Sequence, residues 1–287
     1  AGADFSLAYS PERVLPGKIL HELINNARVI GGINESSAKA GKELYSVFVK
    51  GDIILTDATT AEMVKLMENT FRDINIAAAN EFAQLAEKFG VDVWEAIQLA
   101  NRHPRVNILK PGPGVGGHCI SVDPWFLVEA APEQSTLIRA ARTVNDQQPD
   151  FVVKTMRSKL GELENRRVTA LGLSYKPDVD DLRESPAIHT VEILIEMGAQ
   201  VTVFEPFKKE IAIQGARIAE SLVNAVKDVE IILLLVNHTE FQSINPLELY
   251  RLTGSVSVFD CVSGWDSHAW QNAGFHYYRL GDGKLNN

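Results

Sequence analysis

The chain has 287 residues, 45% hydrophobic and 23% charged, with a formal net charge of −9. That length suits two domains and that composition a globular fold, while the acidic balance argues against nucleic acid as the main partner and leaves no basic tail for a membrane surface. No apolar run approaches the ~20 residues of a membrane span, the start Ala1-Gly2-Ala3-Asp4-Phe5 lacks a signal-peptide layout, and two cysteines point to a reducing compartment, so cytoplasm is expected.

The chain opens without Met, almost directly into patterned sequence, and reads as a piece of something longer. Glu12 follows a proline in Tyr9-Ser10-Pro11-Glu12-Arg13-Val14-Leu15-Pro16-Gly17 and locally reads as a turn residue. Arg28-Val29-Ile30-Gly31-Gly32 is a short strand, followed by a helix over residues 35–48 and a strand over 52–56. This is the pattern of the last strand-helix-strand portion of an α/β domain. Thr59-Thr60-Ala61-Glu62 forms a capping box. Apolar residues then recur at helical spacing from Met63 to Phe89, and Gly90 ends the run. About 30 residues at ~1.5 Å each give ~45 Å, more than one small domain needs, so this helix spans domains or forms a dimer seam. Lys65 and Asn69 share one of its faces, with Arg72 close by; a solvated surface is the alternative. Asp92-Val93-Trp94-Glu95 starts a second helix.

Pro111-Gly112-Pro113-Gly114-Val115-Gly116-Gly117-His118-Cys119-Ile120 places one of the two cysteines at the end of a loop with almost no side chains, where backbone can approach a ligand closely. Asp123-Pro124 reads as an N-cap and first helical residue. A cysteine just before a helix N-terminus favours a reactive thiol over a structural one. Asp123 caps that helix or takes part in proton handling. Gly112, Gly114 and Gly117 match G-x-G-x-x-G, but prolines interrupt the loop and Cys-Ile-Ser-Val-Asp intervenes before any helix, so it is not a dinucleotide fingerprint. A third helix is expected over 136–160.

From Arg166 the pattern alternates: strand 168–173, helix 185–197, strand 200–204, strand 230–236 and strand 255–259. Alternation implies a parallel sheet with right-handed crossovers, and ligands of such sheets bind beyond the carboxyl ends of the strands. The loop Ser174-Tyr175-Lys176-Pro177-Asp178-Val179-Asp180-Asp181-Leu182-Arg183-Glu184-Ser185 lies there. Its two cations ahead of a helix start suit an anion such as a diphosphate; a solvated charged loop is the alternative. Cys261 follows an apolar strand and reads as inert core.

Tyr-Ser-Pro-Glu-Arg, Glu62-Met63-Val64-Lys65-Leu66 with Asn69, Asn80-Glu81, Gly-Val-Gly-Gly-His-Cys and Gly-Leu-Ser-Tyr-Lys-Pro-x-x-x-Asp-x-Arg-x-Ser-Pro-Ala occur in that order. As an ordered set over nearly the whole chain they resemble the UDP-glucose/GDP-mannose dehydrogenase family. Pro-Glu-Arg-Val-Leu-Pro-Gly and Pro-Gly-Pro-Gly-Val-Gly-Gly-His-Cys-Ile are most similar to its branch acting on UDP-N-acetyl-D-mannosamine. The resemblance implies an α/β architecture in three parts: residues 1–56 as the end of an NAD-binding Rossmann domain, 57–147 as a helical dimerisation domain, and 148–287 as a Rossmann-like parallel-sheet domain for the UDP-sugar. The NAD fingerprint, first strand and acidic ribose-binding residue have no match, so the polypeptide as given is expected to bind a UDP-sugar without turnover.

The resemblance further implies oxidation of a C6 hydroxyl to a carboxylate with two NAD+ per sugar, for surface polysaccharide precursors, through a thiohemiacetal and thioester on Cys119. Lys65 would be proton donor and acceptor, Asn69 would help hold the oxyanion, Asp123 would support Lys65 or a water, and Glu12 belongs to the same catalytic set. Arg13, Val14, Arg72, His103, Arg105 and Gly116 would contact the nucleotide sugar, with His103 and Arg105 reaching across a homodimer. Tyr175 and Lys176 would meet substrate, and Arg183 would reach toward NAD. No metal site is assigned. Relatives acting on UDP-glucose carry a second Glu where this chain has Pro16, which favours the N-acetylhexosamine branch and leaves the hydrolytic base open. Residues 260–264 lack an arginine that many relatives place there, so no substrate contact is assigned to them. UDP-GlcNAc, UDP-glucose and GDP-mannose remain alternative substrates, because one epimer differs from another by only a few contacts.

Overall fold

The computed structural model describes residues 1–14 and 18–283, so Pro16, with the departure it represents, lies outside the described residues. The chain divides into two compact units, Ala1–Phe71 and Arg72–Asn287.

The first unit contains β1 (Ala8–Tyr9), α1 (Ile19–Asn25), β2 (Arg28–Gly32), α2 (Glu35–Tyr45), β3 (Ile53–Asp57) and the opening turns of α3 (Ala58–Phe89). Its sheet has the order β1-β2-β3. β2 and β3 are parallel, from Arg28↔Ile53 to Gly32↔Asp57, and β1 is antiparallel to β2. β2 ends in glycines because backbone crowds it there. A Cβ on Gly31 would stand 2.4 Å from the Asp57 carbonyl, and one on Gly32 2.3 Å from the Ala38 amide. The start of α3 differs from the expected capping box. Asp57, last residue of β3, does the capping: its carboxylate accepts from the Thr60 amide at 2.9 Å and the Thr60 hydroxyl at 2.6 Å. The strand runs into the helix without a loop, so the cap falls two residues before Thr59.

The second unit holds the rest of α3, then α4 (Val93–Ala100), α5 (Asp123–Ala130), α6 (Thr136–Asp146) and α7 (Gln148–Leu160). The single helix expected over 136–160 is two. Pro149 sits in the first turn of α7 and has no amide hydrogen with which to continue the ladder of α6. α3 packs on this pair through buried polar contacts. Arg142 binds Asp73 at 2.6 Å and also reaches Asp146. Asn80 donates to Asn145 at 2.9 Å and Gln84 to Gln148 at 3.0 Å. Farther along, Lys159 of α7 bridges Glu87 at 3.1 Å and Asp282 at 2.5 Å.

The alternating region follows as β4 (Arg167–Leu171), α8 (Pro186–Glu196), β5 (Gln200–Phe204), β6 (Arg217–Ile218), α9 (Leu222–Ala225), β7 (Ile231–Leu234), α10 (Thr239–Gln242), α11 (Pro246–Thr253), β8 (Ser257–Asp260), α12 (Ser267–Ala273) and β9 (His276–Arg279). Its sheet order is β6-β5-β4-β7-β8-β9, all parallel. Both faces are covered. Ile231 and Leu233 of β7 enter one apolar layer with Val152, Met156, Val191 and Leu194. Ile232 and Leu234 enter the other with Phe241, Leu249, Trp270 and Phe275. Burial on both faces is why the central strands read as unbroken apolar runs. Cys261 lies fully buried in the first layer. Among the described residues, no helix is long and apolar enough to cross a membrane.

Candidate active site

The glycine loop belongs to the second unit, and coil, not a strand, leads into Gly112. Two residues of α3 and one of α7 pin its approach. Asn75 accepts from the Leu109 amide at 3.0 Å and donates to the Asn107 carbonyl at 2.9 Å. Asn80 accepts from the Gly112 amide at 3.0 Å, and Gln148 donates to the Gly112 carbonyl at 3.0 Å. The bonds at Leu109 and Gly112 are half-buried, so each replaces water that the loop backbone has lost.

Past this anchor the loop lies against residues 174–186. The Gly117 amide donates to the Arg183 carbonyl at 3.0 Å. A Cβ on buried Gly116 would stand 2.3 Å from the Glu184 carbonyl and 3.0 Å from Tyr175 Cβ. Gly117 has φ +88°, and a Cβ there would come within 2.9 Å of the Tyr175 ring. Only glycine meets both demands. Cys119 follows two residues later and is exposed. Its carbonyl accepts from the amides of Val122 at 3.1 Å and Asp123 at 2.8 Å, which opens the turn into α5. Asp123 is therefore the first residue of that helix and not its cap; the capping position is Val122, which makes no side-chain cap bond. The Cys119 carbonyl already satisfies the Asp123 amide, and the Asp123 side chain is buried.

Charge around the thiol comes from the 174–185 loop. Arg183 is exposed and forks onto Asp181, at 2.9 Å from Nε and 2.7 Å from Nη2. That fork, helped by His118, holds the Asp181 carboxyl below its ordinary range. The Tyr175 hydroxyl is pushed up by burial and by Asp181 and Cys119, against the pull of Arg183. Lys176 Nζ stands 5.6 Å from the Tyr175 ring centroid. The fold thus brings Gly116, Cys119, Asp123, Tyr175, Lys176 and Arg183 together at the carboxyl-end side of the parallel sheet. A cleft of about 750 Å³ shares Val115, Ser121 and Glu184 with these loops, but Cys119 is not in its lining. His103 and Arg105 are exposed in the turns after α4, the His103 ring accepting from the Arg105 amide at 3.3 Å. Arg72 is an exposed residue of α3.

In the first unit, Arg13 is the residue brought to the Lys65–Asn69 turn of α3: its Nε donates to Glu68 at 2.9 Å and its Nη1 to the Ala27 carbonyl at 3.3 Å. Lys65, Asn69 and Val14 are half-buried. Glu12 is exposed and its carboxylate accepts from the Arg13 amide at 2.9 Å. For NAD, Arg183 is the residue whose chemistry fits, a fixed and exposed cation suited to a diphosphate. Among the described residues the only G-x-G-x-x-G is the 112–117 loop, which lacks the strand a dinucleotide cradle needs. Among the described residues no cluster of three His, Cys, Asp or Glu could hold a metal. Sequence reasoning missed Gln148, and quoted Asp181 and Asn80 without a role. A polar residue recurring at the buried spacing of α3 was the one available signal, for Asn80.

Comparison with known proteins places three family models on the chain. The UDP-glucose/GDP-mannose dehydrogenase NAD binding domain matches residues 1–49, the central domain 59–147 and the UDP binding domain 169–267. A UDP-N-acetyl-D-mannosamine dehydrogenase of Methanocaldococcus jannaschii is 49% identical over 281 residues, 97% of this chain and 64% of the relative. An NDP-N-acetyl-D-galactosaminuronic acid dehydrogenase of Ralstonia nicotianae is 48% identical over 268 residues, 92% of this chain and 62% of the relative. Among solved structures, a UDP-D-ManNAc dehydrogenase from Pyrococcus horikoshii superposes with a TM-score of 0.88 at 42% identity, covering 98% of this chain and 66% of that one. The chain thus spans just under two thirds of the length of these relatives.

Proposed function

We propose, from the premise that the chain belongs to the UDP-glucose/GDP-mannose dehydrogenase family, that the full-length protein oxidises the C6 hydroxyl of UDP-N-acetyl-D-mannosamine to the uronic acid, feeding surface polysaccharide synthesis. The observation that carries this is an exposed Cys119 ending a glycine loop that packs on Tyr175, beside the Arg183–Asp181 fork. NAD, when bound, supplies the hydride acceptor, with Arg183 as a partner for its diphosphate. The chain's own part is to hold the sugar and offer the thiol. Cys119 Sγ adds to a C6 aldehyde, so a C–S bond forms and the carbonyl oxygen takes the charge. After oxidation to the thioester, water attacks the acyl carbon and the thiolate leaves, which suits sulfur as both nucleophile and leaving group. Lys65 moves protons and Asn69 holds the oxyanion, while Asp123 supports Lys65 or a water. Arg13, Val14, Arg72, Gly116, Tyr175 and Lys176 bind the nucleotide sugar. We assign residues 1–56, 57–147 and 148–287 to NAD binding, dimerisation and UDP-sugar binding.

A second sugar epimer is favoured by one observation, the 48% identity to an NDP-N-acetyl-D-galactosaminuronic acid dehydrogenase. NADH formation by the full-length protein with UDP-ManNAc, UDP-GalNAc, UDP-GlcNAc, UDP-glucose and GDP-mannose side by side decides between them; UDP-ManNAc is expected to be turned over fastest. Cys119→Ser is expected to reduce uronic acid formation to background. Undiminished acid production by that variant removes Cys119 as the nucleophile.

A further inference from the structure

His238 and Glu205 form a buried pair that the reaction does not use. Both side chains are fully inaccessible. The Asp178 amide donates to His238 Nδ1 at 2.9 Å, which makes Nδ1 the acceptor and puts the ring proton of the neutral imidazole on Nε2. That proton faces Glu205 Oε2 at 3.0 Å. The same oxygen accepts from the amides of Leu173 at 2.7 Å and Ser174 at 3.1 Å, and Oε1 accepts from Phe207 at 3.0 Å. The rings of Phe207 and Phe241 flank His238 with centroids 5.0 and 5.3 Å away. Asp178 itself sits at φ 60°, and its carboxylate takes the Thr239 amide at 2.9 Å and hydroxyl at 2.6 Å.

These bonds lie beyond the last ladder residues of the strands. They leave the ends of β4, β5 and β7 and close on the backbone of residues 173, 174 and 178. Between those pins lie Tyr175 and Lys176. Tyr175 is the ring that Gly117 approaches without a side chain, and Cys119 is two residues beyond Gly117. We propose that Glu205 and His238 are positioning residues: a buried pair that does not meet the substrate but fixes residues 173–178 and, through Tyr175 against Gly117, sets the place of Cys119. A merely stabilising role would be met by an apolar pair, which avoids the cost of burying a carboxylate. A carboxylate with four donors and an imidazole in one tautomer instead specify a single backbone path. The substrate-binding half of this proposal rests on the dehydrogenase function proposed for the full-length protein.

Two variants of the full-length protein test it. Glu205→Gln turns an amide nitrogen toward groups that are all donors. His238→Gln keeps a donor for Glu205 and loses the ring acceptor for Asp178. Two quantities are read: kcat and KM for the nucleotide sugar, and the alkylation rate by iodoacetamide followed by mass spectrometry on the peptide that contains Cys119, the exposed cysteine of this chain. Glu205→Gln is expected to lower kcat/KM about tenfold, the scale of one lost buried hydrogen bond, mainly through KM. It should also change the alkylation rate severalfold, and His238→Gln should shift both in the same direction by less. Wild-type kinetics and wild-type alkylation in a folded variant, with only the melting temperature lowered, overturn the proposal. If the wild-type protein oxidises none of the sugars while alkylation still follows Glu205 and His238, the positioning stands and the dehydrogenase function falls. Should Glu205→Gln fail to fold, His238→Gln decides alone by the same readouts.

Discussion

A carboxylate buried without partners costs several kcal/mol, and this chain surrounds its buried carboxylates with donors. Asp260 accepts from the amides of Val262, Gly264 and Trp265 and from the Tyr277 hydroxyl, yet burial still raises its pKa. At Glu205 burial also pushes upward, but the bonds from His238, Leu173 and Phe207 outweigh it and leave the carboxyl below its ordinary 4.5. A lowered folded pKa means that the ionised carboxylate contributes stability above the unfolded value and loses it as pH falls through the folded one. Wild type and Glu205→Gln should therefore differ by about 1–3 kcal/mol near neutral pH, and the gap should close as the pH drops below 4.5. Urea unfolding across a pH series measures it; a gap constant from neutrality to strong acid would assign the difference to shape and not to charge. Cys119 was legible in the sequence because a run so dense in glycine and proline builds neither helix nor strand and leaves its backbone open to close approach. Glu205 and His238 were not, since a single polar residue at a strand end reads equally as surface until the opposite strand ends are in place.

Elements buried on both faces were the most legible. β5 coincides with its expected span, and β4, β7 and β8 fall within two residues of theirs. β6 has two residues and β9 reads His-Tyr-Tyr-Arg, too short or too polar to show a period. α3 ends at Phe89 before Gly90, as its pattern indicates. Its start was misplaced because the capping carboxylate belongs to the preceding strand, and the break between α6 and α7 was missed because apolar periodicity continues across Gln147. The glycine loop allows a test at this scale, since its glycines are not equivalent. A Cβ at Gly112 meets nothing within 4 Å, whereas one at Gly117 combines φ +88° with the Tyr175 ring at 2.9 Å. Gly112→Ala should change stability by less than about 1 kcal/mol. Gly117→Ala should cost about 1–3 kcal/mol in backbone strain and should suppress acid formation by the full-length protein further than that loss explains, because Tyr175 must move. Thermal unfolding beside activity separates the two, and equal behaviour of both alanine variants would show that the loop is not held against Tyr175.

At the scale of the whole molecule the open question is what covers the second half of α3. The alternative to a dimer, pairing within the chain, accounts for one side of the helix: Asp73, Asn80, Gln84 and Glu87 meet α6 and α7 or the Lys159 cluster. Three alanines of α3 are covered as well, since Ala79, Ala83 and Ala86 pack in a core with Val93 and Ile97. What remains is made of larger side chains. Phe82, Leu85, Phe89, Val91 and Leu99 are exposed, Phe89 by 67%, and several of them line an apolar groove of about 340 Å³ between α3 and α4. Clustered exposed apolar side chains of this kind suit an interaction surface. The short segment that follows α4 carries His103 and Arg105, the residues proposed to enter a neighbour's site. A second copy of the chain is the occupant we propose for both features, and a stable pair needs roughly 1,200–2,000 Å² of buried surface, which a helix of this length can supply. Sedimentation at micromolar concentration should then give about twice the chain mass of 31.6 kDa. Leu85→Asp with Phe89→Asp should give the single-chain mass with circular dichroism unchanged, because neither side chain belongs to the core cluster. A wild-type species at the single-chain mass would remove the dimer, and with it the cross-subunit roles of His103 and Arg105, while leaving Cys119 and its loop untouched.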